Sequence, residues 1–160
     1  MITVERFREP DTDDIIELVL HFQNDGSRPT VTVDDQRDLL DIEKEYFQTG
    51  GYFWVAKDEA RIIGSLGLLP YNNRIAILKK FFVYEAYQGD PHHIGRKLYS
   101  MLLTYAKDKN VQTILLDTPY NTHRAHDFYY KAGFSKVLED ELPIKFDHPY
   151  KACDFFMLNL

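Results

Sequence analysis

The stretch from Leu78 to Leu98 constrains the fold most, because it joins a strand, a glycine-containing turn and a helix start. Its first six residues are rich in aromatic and β-branched side chains, which is typical of a strand. From Ile94 onward the apolar residues recur at helical spacing and predict one buried face, formed by Ile94, Leu98, Met101, Leu102 and Tyr105. The first N–H groups of a helix have no acceptor within the helix. The turn between this strand and this helix is therefore predicted to bind an anion such as a phosphate.

Glycines and cations in this turn strengthen the anion hypothesis. Gly89 and Gly95 would let the backbone approach a phosphate closely, and Arg96 and Lys97 would add positive charge. Many strand–turn–helix units bind nothing, however, and a lysine or arginine on a helix is most often solvated. From these residues alone, a phosphate site and an ordinary solvated helix start are both open.

Composition limits the classes of protein to which the chain can belong. Its 160 residues and 44% hydrophobic content predict one folded domain over residues 1–160, large enough to bury a core. Asp and Glu (25) outnumber Lys and Arg (19), and the net charge of −6 argues against nucleic acid as a partner. The single cysteine excludes an internal disulfide. With no signal peptide and no apolar run of membrane-spanning length, we expect a cytoplasmic protein without a membrane partner.

The predicted elements follow the order β-α-α-β-β-β-α-β-α-β-β, which indicates a mixed α/β sheet with helices on both faces. Strands are predicted at residues 2–7, 52–56, 61–69, 75–84, 113–116, 134–138 and 154–158. Helices are predicted after a cap at Asp11, from Asp34 to Gly50, over 94–109 and over 123–132. Short links between residues 52 and 84 predict an antiparallel meander. The helical crossover that begins at Ile94 predicts a parallel pair between strands 75–84 and 113–116.

Three stretches of the chain carry a specific pattern together. They are Leu78–Val83, the turn Tyr87–Gly89 with the helix start Ile94–Leu98, and a spaced run formed by Asn121, Ala125, Phe128, Tyr129, Gly133 and Phe134. This combination resembles the GNAT family of acetyl-coenzyme A-dependent N-acetyltransferases. There the stretches correspond to the fourth strand, the pyrophosphate loop with its helix, and the spacing Asn-x-x-x-Ala-x-x-Phe-Tyr-x-x-x-Gly-Phe.

The resemblance covers nearly the whole chain and implies a definite architecture. A GNAT-like fold has a central mixed, mostly antiparallel twisted sheet of about seven strands. Its fourth and fifth strands are parallel and splay apart. The loop departs from the family's usual Arg/Gln-x-x-Gly-x-Gly/Ala, because Asp90–His93 separates Gln88-Gly89 from Ile94-Gly95. We therefore expect a wider or kinked loop, in which His92 and His93 supply donors that backbone N–H groups give elsewhere.

The resemblance also implies a binding site for acetyl-coenzyme A, used as the acetyl donor. The pantetheine arm would lie between the splayed strands and form hydrogen bonds with the backbones of Phe81, Phe82 and Val83. One backbone N–H near Phe82 would face the acetyl oxygen. Asn121 would bind the cofactor or cap the helix at His123. The pyrophosphate would be surrounded by Gln88, Gly89, Ile94, Gly95 and Arg96.

Tyr129 is the general acid that the resemblance implies, since a phenol with a pKa of about 10 stays protonated at neutral pH. Without the resemblance, a tyrosine that only packs would be the better interpretation. The glutamate that often acts as base in the family is replaced by Ile77, so the base must come from elsewhere. Our candidate is Asp117, at the end of a predicted strand, and the alternatives are a water chain, Glu85, His123 and His148.

No metal site is expected from the sequence. His92, His93 and His126 have no acidic or cysteine partner at helical or hairpin spacing. Cys153 lies in a predicted strand without a paired base, which favours a packed thiol over a nucleophile.

The leading hypothesis is therefore an N-acetyltransferase that moves an acetyl group directly from acetyl-coenzyme A to a primary amine in a ternary complex. The amine would belong to a small molecule or a peptide, flanked by the loops Asn24–Thr30 and Pro143–Tyr150. The runner-up is a non-catalytic acyl-coenzyme A-binding regulatory module of the same fold, and a third option is a nucleotide-using phosphate-binding domain. The acceptor stays open, as does the choice between a monomer and a homodimer.

Overall fold

The computed structural model describes residues 1–149 and 152–160, and its strands and helices alternate as a mixed α/β fold. The strands are β1 Ile2–Arg6, β2 Tyr52–Asp58, β3 Arg61–Pro70, β4 Ile75–Val83, β5 Thr113–Pro119, β6 Ser135–Val137 and β7 Cys153–Asn159. The α-helices are α1 Thr12–Gln23, α2 Ile94–Asp108 and α3 His123–Lys131. All seven strands form one sheet in the order β1-β2-β3-β4-β5-β7-β6.

Every pair of neighbouring strands in this sheet is antiparallel except one. The strands β1 to β4 form a continuous antiparallel meander, and β7 lies between β5 and β6. β4 and β5 are parallel and are connected through α2. The sequence prediction of a mostly antiparallel sheet with parallel fourth and fifth strands is confirmed.

Apolar layers cover both faces of the sheet, as predicted. On one face α2 and α3 pack over the strands through a cluster that includes Leu98, Leu102 and Phe156. On the other face α1 and the segment that follows it bury Ile15 and Leu39 against the sheet. A protein of this size gains most of its stability from such burial, at roughly 25 cal/mol per Å² of apolar surface removed from water.

The second predicted helix is present only as two shorter helical segments and not as one continuous helix. The segment forms a 3-10 helix over Val33–Leu40, interrupted at Gln36, and a short π-helix over Glu43–Phe47. Two side chains explain the breaks. Gln36 is buried and bonds the side chain of Gln23 on α1, while Asp41 accepts a bond from the Lys44 N–H at 3.1 Å and so begins a new turn.

Two further local predictions are corrected. Met101 is 46% exposed, because the buried stripe of α2 runs from Leu98 through Leu102 to Ala106 and leaves Met101 at its edge. Asp11 does not cap α1, since its carboxylate accepts a bond from the Arg8 N–H at 2.9 Å at the start of the preceding 3-10 turn. Within the described residues, we find no helix that is both long and apolar enough to cross a membrane.

Candidate active site

β4 and β5 pair along only part of their length. Three parallel pairs join Ile75–Ile77 to Thr113–Leu115, and the ladder ends there. Beyond this point the strands border a cleft of about 1220 Å³, whose wall includes residues 78–83 of β4 and 117–119 of β5. The splayed geometry that the sequence resemblance implies is present, and it offers two strand edges to an extended ligand.

A β-bulge in β4 lies where β4 and β5 begin to separate. Between the cross-strand pairs Ser65–Phe82 and Gly67–Lys79, β4 has one residue more than β3. Lys80, inside the bulge, has φ of 56°, in the left-handed region that non-glycine residues seldom adopt. The Ser65 hydroxyl donates to the Lys80 carbonyl at 2.7 Å and holds this backbone in place. Because a bulge bends and twists its strand, it contributes to the separation of β4 from β5.

The strand beyond the bulge is held from both faces of the sheet. Phe81 packs edge-on against Phe128 of α3, with ring centroids 5.3 Å apart. Phe82 stacks on Phe22 of α1, with centroids 5.6 Å apart. The side chains of Phe81 and Phe82 therefore anchor the strand, while its backbone borders the cleft as the resemblance implies.

The glycine-containing turn closes one end of the cleft. Gln88 Nε2 donates to the Val83 carbonyl at 2.8 Å and ties the turn to the end of β4. Gly89 has φ of 66°, and its carbonyl accepts a bond from the His93 N–H at 2.8 Å. His93 Nε2 lies 2.5 Å from a carboxylate oxygen of Asp90. The inserted residues are thus accommodated in a compact turn ahead of α2.

Of the two histidines expected to supply donors in this turn, His93 lines the cleft. The ring of His92 packs instead against Tyr87, with centroids 5.4 Å apart. Ile94, with Gly95 and Arg96, opens the 15-residue helix α2, whose first N–H groups lie at the same end of the cleft. The Ile94 side chain is fully buried in the core beneath α2, while Gly95 and Arg96 line the cleft. Anion binding at this end stays a prediction.

Arg124 at the start of α3 also reaches this end, although the sequence interpretation missed it. A Cβ added at Gly89 would lie 3.0 Å from Arg124 Nη2, so the glycine leaves room for this side chain. At Gly95 an added Cβ would lie 3.6 Å from the ring of Phe81. Arg124 approaches the turn only through the packing of α3, and no local spacing in the sequence signals that contact.

Tyr129, the predicted acid, is buried beside the cleft. It is 5% exposed, and its ring contacts those of Phe81, Phe128, Phe134 and Phe156. Burial raises the pKa of the Tyr129 phenol well above its ordinary value, and the nearby Asp117 carboxylate raises it further. Tyr129 therefore keeps its proton at neutral pH.

Asp117, the predicted base, lies within β5 opposite Phe155, and not at the strand end as predicted. Its side chain lines the cleft. Burial raises the pKa of Asp117, while the positive charges of Lys79, His148 and Lys80 act in the opposite direction. A carboxylate with a raised pKa in a cleft is suited to accept a proton near neutral pH.

Tyr129 and Asp117 reach the cleft from opposite sides of the sheet. Leu116 belongs to the core beneath α2 and α3, and so does Tyr129. Successive side chains of a strand point to opposite faces, so Asp117 points to the face that α1 covers. Only the opening between β4 and β5 allows one ligand to contact both groups.

This arrangement has counterparts among known proteins. The family described as "Acetyltransferase (GNAT) family" matches residues 16–134, which is most of the chain. The chain belongs to this family.

Solved GNAT-type structures share the whole architecture. An acetyltransferase from Streptococcus agalactiae is 30% identical to this chain, with a TM-score of 0.95, over 99% of this chain and 98% of that one. The PaiA N-acetyltransferase from Thermoplasma acidophilum, solved in complex with coenzyme A, is 16% identical with a TM-score of 0.77, over 100% and 99% of the two chains. At that lower identity the likeness concerns the fold alone.

Curated relatives resemble one part of the chain. Human N-acetyltransferase 8 is 29% identical over 104 residues, which are 62% of this chain and 46% of that protein. The chain spans about half the length of the curated relatives it matches.

Asn121, expected from the GNAT spacing, lines the cleft but does not cap a helix. Its Oδ1 accepts a bond from Arg28 Nη1 at 2.9 Å, and α3 begins after Thr122 without a side-chain cap. Arg28 also donates to the Phe22 carbonyl at 2.8 Å, so it joins the loop after α1 to the loop before α3. The capping alternative is therefore wrong, and cofactor binding by Asn121 stays a prediction.

The other candidate bases of the GNAT cleft are less suited to the role. Glu85 lies in an exposed ion pair with His21 at 3.0 Å, and hydrogen bonding to its own backbone is the largest of the effects that lower its pKa. His123 is exposed at the start of α3. His148 lies near Asp117 in a cluster that also contains Cys153. Tyr150, part of the predicted acceptor loop, falls outside the described residues.

Lys80 is a buried lysine in the part of β4 that borders the cleft. The sequence does not single it out as a site residue. It is 7% exposed, and its Nζ lies 3.6 Å from Asp38 Oδ2. The same Asp38 oxygen accepts a bond from the Tyr46 hydroxyl at 2.6 Å. Burial lowers the pKa of Lys80 to about 8, although Asp38 opposes that change. A lysine in a strand normally predicts an exposed position, which is why the residue was overlooked.

Proposed function

We propose that the chain is an N-acetyltransferase that moves an acetyl group from acetyl-coenzyme A to a primary amine of a small molecule or peptide. The transfer is direct, within a ternary complex. One observation carries the proposal: the pairing of β4 and β5 stops after three residue pairs, and Tyr129 and Asp117 border the opening from opposite sides. The start of α2 borders one end of the same cleft, where its free N–H groups would bind a phosphate.

The residues at that end fit the diphosphate of coenzyme A. The start of α2 supplies backbone N–H donors, and Gly89 and Gly95 lack the Cβ atoms that would narrow the turn. Arg96 and Arg124 line the same end and offer positive charge. Support also comes from PaiA, a protein of the same fold solved with coenzyme A.

Acetyl transfer to a protonated amine requires two protons to leave the nitrogen and one to be supplied to the sulfur. An amine is mostly protonated at neutral pH, and we assign Asp117 to take the proton that must leave before nitrogen attacks the thioester carbon. As the carbon–sulfur bond breaks, Tyr129 donates its proton to the departing thiolate. The nitrogen loses its second proton as the amide forms, which restores the Tyr129 phenol, and the proton on Asp117 passes to solvent. The burial that raises the pKa of Tyr129 would also raise that of a thiolate beside it, which keeps the transfer balanced.

The carbonyl oxygen gains negative charge when the nitrogen adds, and the strand beyond the bulge supports its stabilisation. The backbone of Phe81, Phe82 and Val83 lines the cleft, and a fixed N–H near Phe82 would donate to that oxygen. The bulge at Lys80 holds this backbone through the Ser65 bond of 2.7 Å. Preorganised donors of this kind are worth about 3 kcal/mol each in acyl transfer.

Ligand-induced stabilisation tests the binding half of the proposal. Acetyl-coenzyme A and desulfo-coenzyme A at about 100 times their Kd should each stabilise the fold by about 2.7 kcal/mol, whereas ATP should compete poorly. That energy corresponds to a rise in melting temperature of roughly 5–10 °C for a chain of this size. Equal stabilisation by ATP would favour the nucleotide-binding alternative, and no shift with either coenzyme would contradict the proposal.

Release of free coenzyme A in the presence of a panel of amines tests the catalytic half. The panel includes polyamines, amino acids and peptides with free N-termini, and each is compared with its already acetylated form. We expect at least one amine to accelerate release in a saturable manner. Tight coenzyme binding without release for any amine would instead support the non-catalytic acyl-coenzyme A-binding module.

A further inference from the structure

A cluster of metal-ligand side chains lies beside the cleft and comes from three separate segments. Asp117 belongs to β5, Cys153 begins β7, and His148 precedes β7 in the connecting loop. One carboxylate oxygen, one thiol sulfur and one imidazole nitrogen of these residues lie within 4.8 Å of one another. No metal site is expected from the sequence, because these three residues do not stand at helical or hairpin ligand spacing.

The sheet register places two of these side chains on one face. Asp117 lies opposite Phe155, and Cys153 lies opposite Pro119. Residues two apart on a strand point to the same face, so Cys153 shares the face of Phe155 and of Asp117. The pair is therefore fixed by antiparallel strands and not by a mobile loop.

The third side chain is held by aromatic packing. The ring of His148 contacts Phe155 edge-on, with centroids 5.3 Å apart. Phe146 packs against both rings, at 6.4 Å from His148 and 6.0 Å from Phe155. These contacts direct His148 toward Cys153, whose sulfur lies 3.6 Å from His148 Nδ1.

That separation fits a tetrahedral zinc ion. Zinc–sulfur and zinc–nitrogen bonds of about 2.3 and 2.0 Å at the tetrahedral angle put the two ligand atoms about 3.5 Å apart. A sulfur, an imidazole nitrogen and one carboxylate oxygen suit Zn²⁺, whereas Mg²⁺ and Ca²⁺ require mostly oxygen ligands. Three protein ligands leave a fourth position for water or another small ligand.

We propose that Asp117, His148 and Cys153 form a binding site for Zn²⁺, and that zinc bound there inhibits acetyl transfer. Asp117 lines the cleft, so a metal that holds its carboxylate also occupies the acceptor side of the opening. The inhibitory half rests on the proposed function, in which Asp117 accepts the proton of the amine. The metal-binding half does not depend on that assignment.

Metal binding is tested first, without reference to activity. The purified chain is titrated with Co²⁺ alone, which reports a thiolate ligand by a charge-transfer band in the near ultraviolet, and then with Zn²⁺ against a chromogenic chelator. We expect one ion per chain, displacement of Co²⁺ by Zn²⁺, and at least tenfold weaker binding by Cys153→Ser and by His148→Ala. His123→Ala removes an exposed histidine outside the cluster and serves as the matched control, with unchanged binding.

Inhibition is tested on the same proteins. The wild type should lose most of its coenzyme A release at saturating Zn²⁺ and recover it when a chelator is added. Cys153→Ser should show unchanged basal turnover and at least tenfold weaker inhibition by Zn²⁺.

Equal Zn²⁺ affinity of the wild type and Cys153→Ser would overturn the site, and bound Zn²⁺ without inhibition would overturn the regulatory half. If no amine is acetylated, the Co²⁺ spectrum still shows whether the metal binds at Cys153. Failure of the proposed function and failure of this inference are thereby distinguishable.

Discussion

One half of the β4–β5 pair is joined by a parallel ladder, whereas the other half borders the cleft. In the paired half, Ala76, Ile77, Ile114 and Leu115 are buried apolar residues joined by a parallel ladder. In the open half, the same strands carry Lys79, Lys80, Asp117 and Thr118. The ladder lies among buried apolar residues where the strands pair, and the titratable groups of these strands lie where they part.

The difference between the paired and the open half shows where one sheet can hold buried titratable groups. The open half cannot complete its ladder, and burial there lowers the pKa of Lys80 to about 8 and raises that of Asp117. A pKa shifted by burial in this way marks a charged form held at a cost in stability, and such groups are often found at active sites. The paired half supplies the rigid frame that keeps those groups in place.

The largest effect expected in the open half follows from removal of one hydroxyl. Tyr129→Phe should lower kcat by about 10³-fold, because loss of a general acid typically costs 10²- to 10⁴-fold. The Kd for coenzyme A should stay within about twofold of the wild type, since the ring and its packing remain. Steady-state kinetics and a binding titration measure the two quantities.

Tyr99→Phe is the matched control for that change. The Tyr99 hydroxyl is buried and has no hydrogen-bond partner within the described part of the chain. We expect unchanged turnover and equal or slightly higher stability, because an unsatisfied buried hydroxyl is costly. Equal losses of kcat in the two variants would remove Tyr129 from the mechanism.

In the paired half we expect a loss of stability without a loss of binding. Leu115 is fully buried, and Leu115→Ala should lower the free energy of unfolding by about 3 kcal/mol through the cavity it leaves. The Kd for coenzyme A of the folded variant should be unchanged. Urea unfolding and a binding titration test this pair of results, and a variant that kept its stability but lost coenzyme binding would contradict the division between the halves.

Asp117 lies two residues further along the same strand, and Asp117→Asn should lose activity without losing stability. We expect kcat/KM to fall by about 10²-fold at neutral pH, with the acid limb of the wild-type pH–rate profile lost in the variant. Burial raises the folded pKa of Asp117, so its ionisation costs stability as pH rises through that value. The variant should therefore be as stable as the wild type or more stable at pH 7, an advantage that disappears below the unfolded pKa of about 3.9.

A pH–rate profile that Asp117→Asn leaves unchanged would remove Asp117 as the base. Chemical denaturation at pH 7 and at low pH measures the stability difference. A variant less stable at pH 7 than the wild type would contradict the view that this charge is held at a cost.

The smallest expected effect concerns the turn at the end of the open half. Gly89→Ala should weaken coenzyme A binding by about tenfold, because the added methyl would displace Arg124, whose Nη2 lies 3.0 Å from that position. Gly26→Ala is the matched control: φ at Gly26 is also positive, at 91°, but no atom lies within 4 Å of the added Cβ. Similar Kd values for the two variants in a binding titration would mean that backbone strain alone, and not Arg124, accounts for any loss.

Sequence patterns predicted the paired half and the course of the strands well. The period of apolar residues and the helical crossover specify β4, β5 and their parallel relation, since both are local signals. The second helix was mispredicted because the buried Gln23–Gln36 pair and the Asp41 cap override helix propensity. Such overrides depend on contacts between segments that no single-segment pattern contains.

Most of the candidate site residues were proposed from the family pattern, and their roles stay predictions. Tyr129 and the glycine turn carry spacing that identifies them, and Asp117 was found as a carboxylate near a strand end. The contacts of Arg124 and Arg28 were missed because each joins distant segments of the chain. The His148–Cys153 contact was missed although the two residues are only five apart, because it depends on how the loop before β7 folds back. The β-bulge at Lys80 likewise depends on its pairing with β3.

Amide hydrogen exchange along β4, with and without desulfo-coenzyme A, tests the central claim most directly. If the thioester arm lies between the separated strands, bound ligand should slow exchange within Phe81–Val83 and leave Ala76 and Ile77, already paired to both neighbours, unchanged. Binding of the ligand with no added protection in Phe81–Val83 would contradict the account.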